Sequence, residues 1–237
     1  MLGADRSLFA WEWLRRDCRY RSAAARALWG RASGARAPRP EAFGLAAFEP
    51  PHLGVPNARP VWTAAAHPYV LRAVVVAPGA PEDRFALDSV RSFARVVETG
   101  TAAHLLLSDG LRSIRLDAPA QAFAGGPVRL RYLLEGAVSA QAPLLALRRL
   151  LALCRDRRFS ASLHPREARS RRWVLMLRVH DALAAGASQR DIAAELLSAS
   201  VSGGRWRTRE PSVRSQAQRL VRGACRYGAG AYRQFLR

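Results

Sequence analysis

Apolar positions recur at helical spacing near the start of the chain. Phe9, Trp13 and Tyr20 lie four and seven residues apart with Arg15, Arg16, Arg19 and Arg21 around them, a pattern that predicts one helix over 7–29 ending near Gly30. Pro38, Pro40, Pro50, Pro51, Pro56 and Pro60 then interrupt the chain, so 31–60 reads as a linker over the surface. The period changes after it. YVLRAVVVA, 69–77, is a buried-strand candidate; HLLLSDGLRSIRL, 104–116, is two runs around Asp109-Gly110, a strong hairpin signal; PVRLRYLLE, 127–135, is a further strand, and 87–97 reads as helical. From Pro143 the spacing is helical again. PLLALRRLLALCRD should be a buried helix, SRRWVLMLRVHDALAAG (170–186) a second, the capped SQRDIAAELL a third, and a fourth starts near Pro211 with Val213, Ala217, Leu220, Val221 and Ala224 facing inward. YGAGAYRQFLR closes the sequence as a glycine-broken tail with aromatic anchors. The expected class is α+β: an N-terminal helix (1–30), a proline-rich linker (31–60), a small β-rich domain (61–140) and a helical domain (141–237).

Charge sharpens this picture. All 38 basic residues are arginine, and against 18 acids they leave a net charge of +20. Residues 151–237 hold 18 arginines and 6 acids, a balance of +12, so the final third is the basic part. Self-repulsion on this scale is usually tolerated for the sake of a polyanionic partner, and guanidinium forks onto phosphates and guanine edges as ammonium cannot. No apolar run reaches the ~18 residues of a membrane span, and MLGADRSLFAWEWLRRD lacks the layout of a signal peptide. Cys18, Cys154 and Cys225 are odd in number and widely spaced, against a disulfide framework. A cytoplasmic, nucleoid-associated protein is expected.

The last helices have the order of a helix-turn-helix unit. Ser188 caps the third helix and Asp191 reaches back to it, an acidic capping box just after Gly186. In such units a short helix props the next one into the major groove of double-stranded DNA. The residues expected to meet DNA are Arg190 on the short helix, Arg205, Trp206, Arg207 and Arg209 on the loop, and Ser212, Arg214, Ser215, Gln218, Arg219 and Arg222 on the following helix. Arg214, Ser215 and Gln218 are the candidates for base edges. The connection from Ser198 to Glu210 is longer than the usual three or four residues.

The runs PVRLRYLLEG, LRRLLALCRDRRF, RRWVLMLRVHDALAAGASQRDIAAELL and QRLVRGACRYGAGAYRQFLR resemble the proteobacterial domain of unknown function numbered twenty-two eighty-five, and FAWEWLRRDCRYR is similar to the transcriptional-regulator-like module often fused before it. The resemblance implies a DNA-binding transcription regulator similar to FseA-type activators of integrative and conjugative elements. It also implies an antiactivator as an alternative, since some relatives bind another member of the family.

Other chemistries fit poorly. His52, His67, His104, His164 and His180 form no closely spaced ligand pair with one another or with the cysteines, and a site from Cys154, His164 and His180 would have to be assembled from afar. There is no nucleophile elbow, and a phosphate-binding Gly-x-x-x-x-Gly-Lys loop needs a lysine. No catalytic residue, no metal and no cofactor is expected. Phe9, Trp11, Trp13 and Tyr20 are read as a face docked on the chain's own β-rich middle; the other reading is a groove contact with RNA polymerase, a related regulator or a second copy in a homodimer. The rival function is a protein-interaction module, an antiactivator or adaptor whose arginines serve an acidic partner; RNA binding would call for exposed aromatics on a sheet, of which the middle strands supply few.

Overall fold

A computed structural model describes residues 1–30, 38–197 and 211–237. The class is α+β, with N-terminal helices, a six-stranded sheet in the middle and C-terminal helices. The expected helix over 7–29 is two: α1 (Arg6–Leu14) and α2 (Cys18–Trp29). Asp17 makes the break. Its side chain accepts from Arg19 N at 2.8 Å, so a fresh helix start lies inside a pattern whose apolar spacing runs on without a gap.

Helix α1 is enclosed rather than docked. Every residue from Ser7 to Leu14 is buried. The docking expected on the β-rich middle is found on the C-terminal helices instead: the Phe9 ring meets Trp173 at 5.0 Å, and Trp13 meets His180 at 5.3 Å and Tyr227 at 5.5 Å. The sheet's own apolar face is already covered by another helix, which leaves the aromatic rings of α1 to the C-terminal part. Because these rings lie inside the chain's own core, they do not form the groove contact with a partner considered above.

Residues 38–60 do not behave as a surface linker. Leu45 is fully buried, Tyr20 Oη donates to Glu49 O at 2.7 Å, and Trp11 Nε1 donates to Leu53 O at 2.9 Å. Proline excludes regular structure, but it does not prevent a segment from packing. Glu12, almost wholly buried, accepts from Val55 N at 2.8 Å and from the Arg15 and Arg16 guanidiniums at 2.7 and 2.6 Å. Burial would raise its pKa, yet these bonds hold it below the usual carboxylate value.

The sheet has β1 (Val70–Val76), β2 (Arg84–Phe85), β3 (Ala94–Glu98), β4 (Ala102–Ser108), β5 (Ser113–Pro119) and β6 (Val128–Leu133), in the spatial order β2-β6-β1-β5-β4-β3. Strands β1 and β5 run parallel, and the other pairs are antiparallel. The hairpin expected at Asp109-Gly110 joins β4 to β5. Gly110 has φ +96°, and a Cβ there would stand 2.7 Å from Pro56 O, so both backbone and space call for glycine. The helix expected over 87–97 is a 3-10 turn, Leu87–Phe93, followed by β3, where Val96 and Val97 follow the β preference of their branched side chains.

Helix α3 (Gln141–Asp156), expected as the first helix of the C-terminal domain, lies on the sheet. Ala146, Leu150 and Leu153 pack with Leu71, Leu105, Ile114 and Leu116. On the opposite face Arg115, 2 % exposed, donates to Trp62 O at 3.0 Å, to Leu105 O and to Asp117 Oδ1 at 2.7 Å. The two faces of β5 thus form one apolar and one hydrogen-bonded layer. Helices α4 (Ser170–Ala184), α5 (Gln189–Leu196) and α6 (Pro211–Gly228) and a 3-10 turn (Ala231–Leu236) complete the chain. Asp5, at the start of α1, ties the two cores together: its N–H donates to Leu111 O at 2.7 Å and its Oδ2 accepts from Ser113 N at 2.7 Å.

Candidate nucleic-acid interface

Helix α4 ends in a turn that fixes the start of α5. Gly186, with φ +85°, lets Ala187 N donate back to Ala182 O at 2.9 Å and Gly186 N to Leu183 O at 3.0 Å. The expected capping box is present. Asp191 N donates to Ser188 Oγ at 3.3 Å, and Asp191 Oδ2 accepts from Ser188 N at 2.9 Å and Ser188 Oγ at 2.7 Å. The hydrogen bonds from the Ser188 hydroxyl and amide hold the Asp191 carboxyl below its ordinary pKa.

Helix α6 packs on both of its predecessors. Ala217 meets Ala193 of α5, with Val213 and Leu197 beside them, while Leu220 and Ala224 join Met176 and Leu177 of α4 in the larger core. Small residues set the spacing. A Cβ on Gly223 would stand 2.4 Å from Met176 Cε, and one on Gly228 would stand 3.0 Å from the His180 ring. The apolar periodicity read from Val213, Ala217, Leu220, Val221 and Ala224 is thus the buried side of α6.

The opposite side is basic. Arg214, Arg219 and Arg222 are exposed with Ser212, while Ser215 and Gln218 are half-buried. Ser212, Ser215, Arg219, Arg222 and Arg226 follow one another at alternating spacings of three and four, which keeps them on one helix face. Arg219 Nη1 donates to Ser215 Oγ at 2.8 Å, and Arg226 lies over the Tyr227 ring at 5.1 Å. Among the described residues none of Arg214, Arg219, Arg222 and Arg226 forms an ion pair with a carboxylate. From Pro211 to Arg237 there are 6 arginines and no Asp or Glu.

Not every expected residue can be placed. Arg190 is exposed at the first turn of α5. Arg205, Trp206, Arg207 and Arg209 lie outside the described residues, as does the connection between α5 and α6. Arg226 was not among the expected contacts; its seven-residue spacing from Arg219 is the signal that brings it in. Cys154, His164 and His180 are not brought together: Cys154 packs beside the sheet core, His164 pairs with Asp5 at 3.3 Å and His180 meets Trp13. Among the described residues no group of three His, Cys, Asp or Glu side chains is placed to hold a metal ion, and no helix is long and apolar enough to cross a membrane.

Two regions of the chain match known families. Residues 136–237 match the model of a RovC-type family described as "T6SS, Transcription factor, DNA binding domain". Residues 1–46 match a "Proteobacterial transcriptional regulator-like domain". The second match coincides with the regulator-like module to which FAWEWLRRDCRYR is similar, and the first carries a different description from the domain of unknown function named above. No curated protein and no solved structure matches the chain. The chain is thus a transcriptional regulator with a DNA-binding domain, and its two matched regions share one hydrophobic core. Residues 47–135, which hold all six strands of the sheet, lie between the two matches.

Proposed function

We propose that α4, α5 and α6 act as a helix-turn-helix-like unit in which α6 enters the major groove of duplex DNA and α5 braces it. The observation that carries this reading is the arginine face of α6, which has no carboxylate partner among the described residues. Arginines consumed in pairs with local acids would have favoured a protein-interaction module; unpaired, they suit phosphates, each neutralised phosphate releasing counterions. In this reading Arg219, Arg222 and Arg226 hold the backbone, and Arg214, Ser215 and Gln218 reach base edges, with Arg190, Ser212 and the loop arginines Arg205, Arg207 and Arg209 alongside Trp206 as further contacts. The finer context, control of genes on a mobile integrative and conjugative element, rests on the sequence resemblance alone.

The test is a mobility-shift titration of the whole chain on its own upstream region and on a scrambled duplex across a range of salt. Preference for the native duplex at physiological salt supports a sequence-specific regulator. Equal binding that vanishes with salt, or none, would sink it and turn attention to a related regulator as the partner of an antiactivator.

A further inference from the structure

A cavity of about 210 Å³ lies where α1, β5, α3 and the C-terminal turn meet, and no residue of α6 lines it. Apolar Ile114, Ala146 and Phe235 form part of its wall together with the Tyr69 ring and the Arg149 guanidinium. Arg149 is the group that the packing does not account for. Its Nε donates to Leu163 O at 2.9 Å and its guanidinium carbon stands 6.0 Å from the centre of the Tyr69 ring. Neither contact is a carboxylate, and among the described residues Arg149 forms no ion pair.

Two acids line the same cavity, and both are engaged elsewhere. Asp5 Oδ2 accepts from Ser113 N at 2.7 Å and its Oδ1 lies 3.3 Å from His164 Nδ1, while Glu167 pairs with Arg6 at 3.7 Å. Burial pushes the pKa of His67, also in the wall, down to about 4, against the pull of the hydrogen bond that its Nδ1 donates to Leu236 O at 2.7 Å. Burial works against the charge of Arg149 as well, lowering its pKa despite the field of Asp5. A half-buried guanidinium whose Nη groups have no acceptor among the described residues matches a planar anion that takes two parallel hydrogen bonds.

We infer that this cavity binds a small monocarboxylate with an apolar or aromatic body, its carboxylate on Arg149 and its body among Ile114, Ala146 and Phe235. The volume is below that of pockets for drug-sized ligands, which limits the body to about one ring. Asp5 and Glu167 share the wall with Arg6, Arg115 and Arg237, so the selection against phosphate comes from the apolar Ile114, Ala146 and Phe235, which suit an acid with a carbon body. The site does not depend on the DNA reading, although Phe235 stacks on Tyr227 of α6 at 4.8 Å and so places the occupant one ring away from that helix.

The experiment is a titration of the whole chain with benzoate, 4-hydroxybenzoate and butyrate, with inorganic phosphate as the comparison anion, read by calorimetry and by tryptophan fluorescence. Trp173 lies 4.7 Å from Phe235 and serves as the reporter. Saturable one-to-one binding of at least one acid is expected, with no saturable signal from phosphate. Arg149→Gln should weaken it at least tenfold, Ala146→Met should abolish it by filling the wall, and Arg148→Gln, at an exposed neighbour on α3, should leave it unchanged. Should Arg149→Gln fail to fold by circular dichroism, Ala146→Met and the wild type carry the test. The assignment is overturned if no carboxylate binds the wild type saturably, if phosphate binds as tightly as the acids, or if a folded Arg149→Gln or Ala146→Met binds as the wild type does.

Discussion

Arg16 forks onto Asp181, with Nε 2.7 Å from Oδ1 and Nη2 2.8 Å from Oδ2, while its Nη1 donates to Glu12 Oε2 at 2.6 Å. One guanidinium thereby joins a carboxylate of α1 to a carboxylate of α4, across the two regions that match regulator families. Burial of Asp181 would raise its pKa, but Arg16 outweighs it and holds the carboxyl below its usual value. A depressed carboxylate contributes stability above the unfolded value near pH 4, and that contribution is lost as pH falls through the lower folded value. A double-mutant cycle of Arg16→Ala and Asp181→Ala should give a coupling on the order of 1 kcal/mol at pH 7, modest because the aspartate is half exposed, and less at pH 3. Equal coupling at both pH values would contradict the assignment.

The second pH response has the opposite chemical origin. Desolvation of the half-buried His67 ring pushes its pKa down to about 4, whereas an unfolded histidine protonates near pH 6.5. Between those values the unfolded chain binds more protons, so stability should fall as pH drops from 6.5 to 4, by up to about 1.4 kcal/mol per pH unit. Urea melts of His67→Gln against wild type should show that slope flattened over this window and unchanged above pH 7.

Ser188→Ala removes one half of the capping box, which should cost about 1 kcal/mol. The loss should be local. Hydrogen exchange at the first-turn amides of α5 should quicken while the amides of β4 and β5 keep their protection. Uniform acceleration throughout would mean that α5 does not open on its own.

The arginine face of α6 gives a quantitative salt test. If Arg219, Arg222 and Arg226 each neutralise one phosphate, replacing all three by alanine should lower the slope of log binding constant against log salt by about 3. Arg214→Ala should instead narrow the gap between native and scrambled duplexes. A slope that does not move in the triple variant would take α6 off the backbone.

Much of the C-terminal part was legible because its signals are local. The capping box at Ser188 and Asp191, the glycine stop at Gly186 and the inward stripe from Val213 to Ala224 each lie within a few turns of chain, and each is found where expected. The strand candidates and the Asp109-Gly110 turn were legible for the same reason. Pairwise docking was not. Phe9 and Trp173 are partners across 164 residues, and nothing in either pattern says which apolar face meets which. Composition also misled at 38–60, where proline reports the lack of regular hydrogen bonding but not burial: Leu45 and Phe48 are core residues inside a proline-rich run. The break at Asp17 was hidden because α1 and α2 bury residues on a nearly continuous spacing.

The enclosure of α1 bears on how the chain is made. Phe9 and Trp13 are synthesised long before the rings that cover them, which belong to Trp173, Tyr227 and Phe235. Until those later rings are made, a strip of indole and phenyl surface has no native partner, a condition that favours aggregation unless a chaperone shields it. The buried side of α6 rests on α4 and α5, and Tyr227 adds the Trp13 ring of α1 to it, so the nascent arginine face completes its core backing when α1 closes on it.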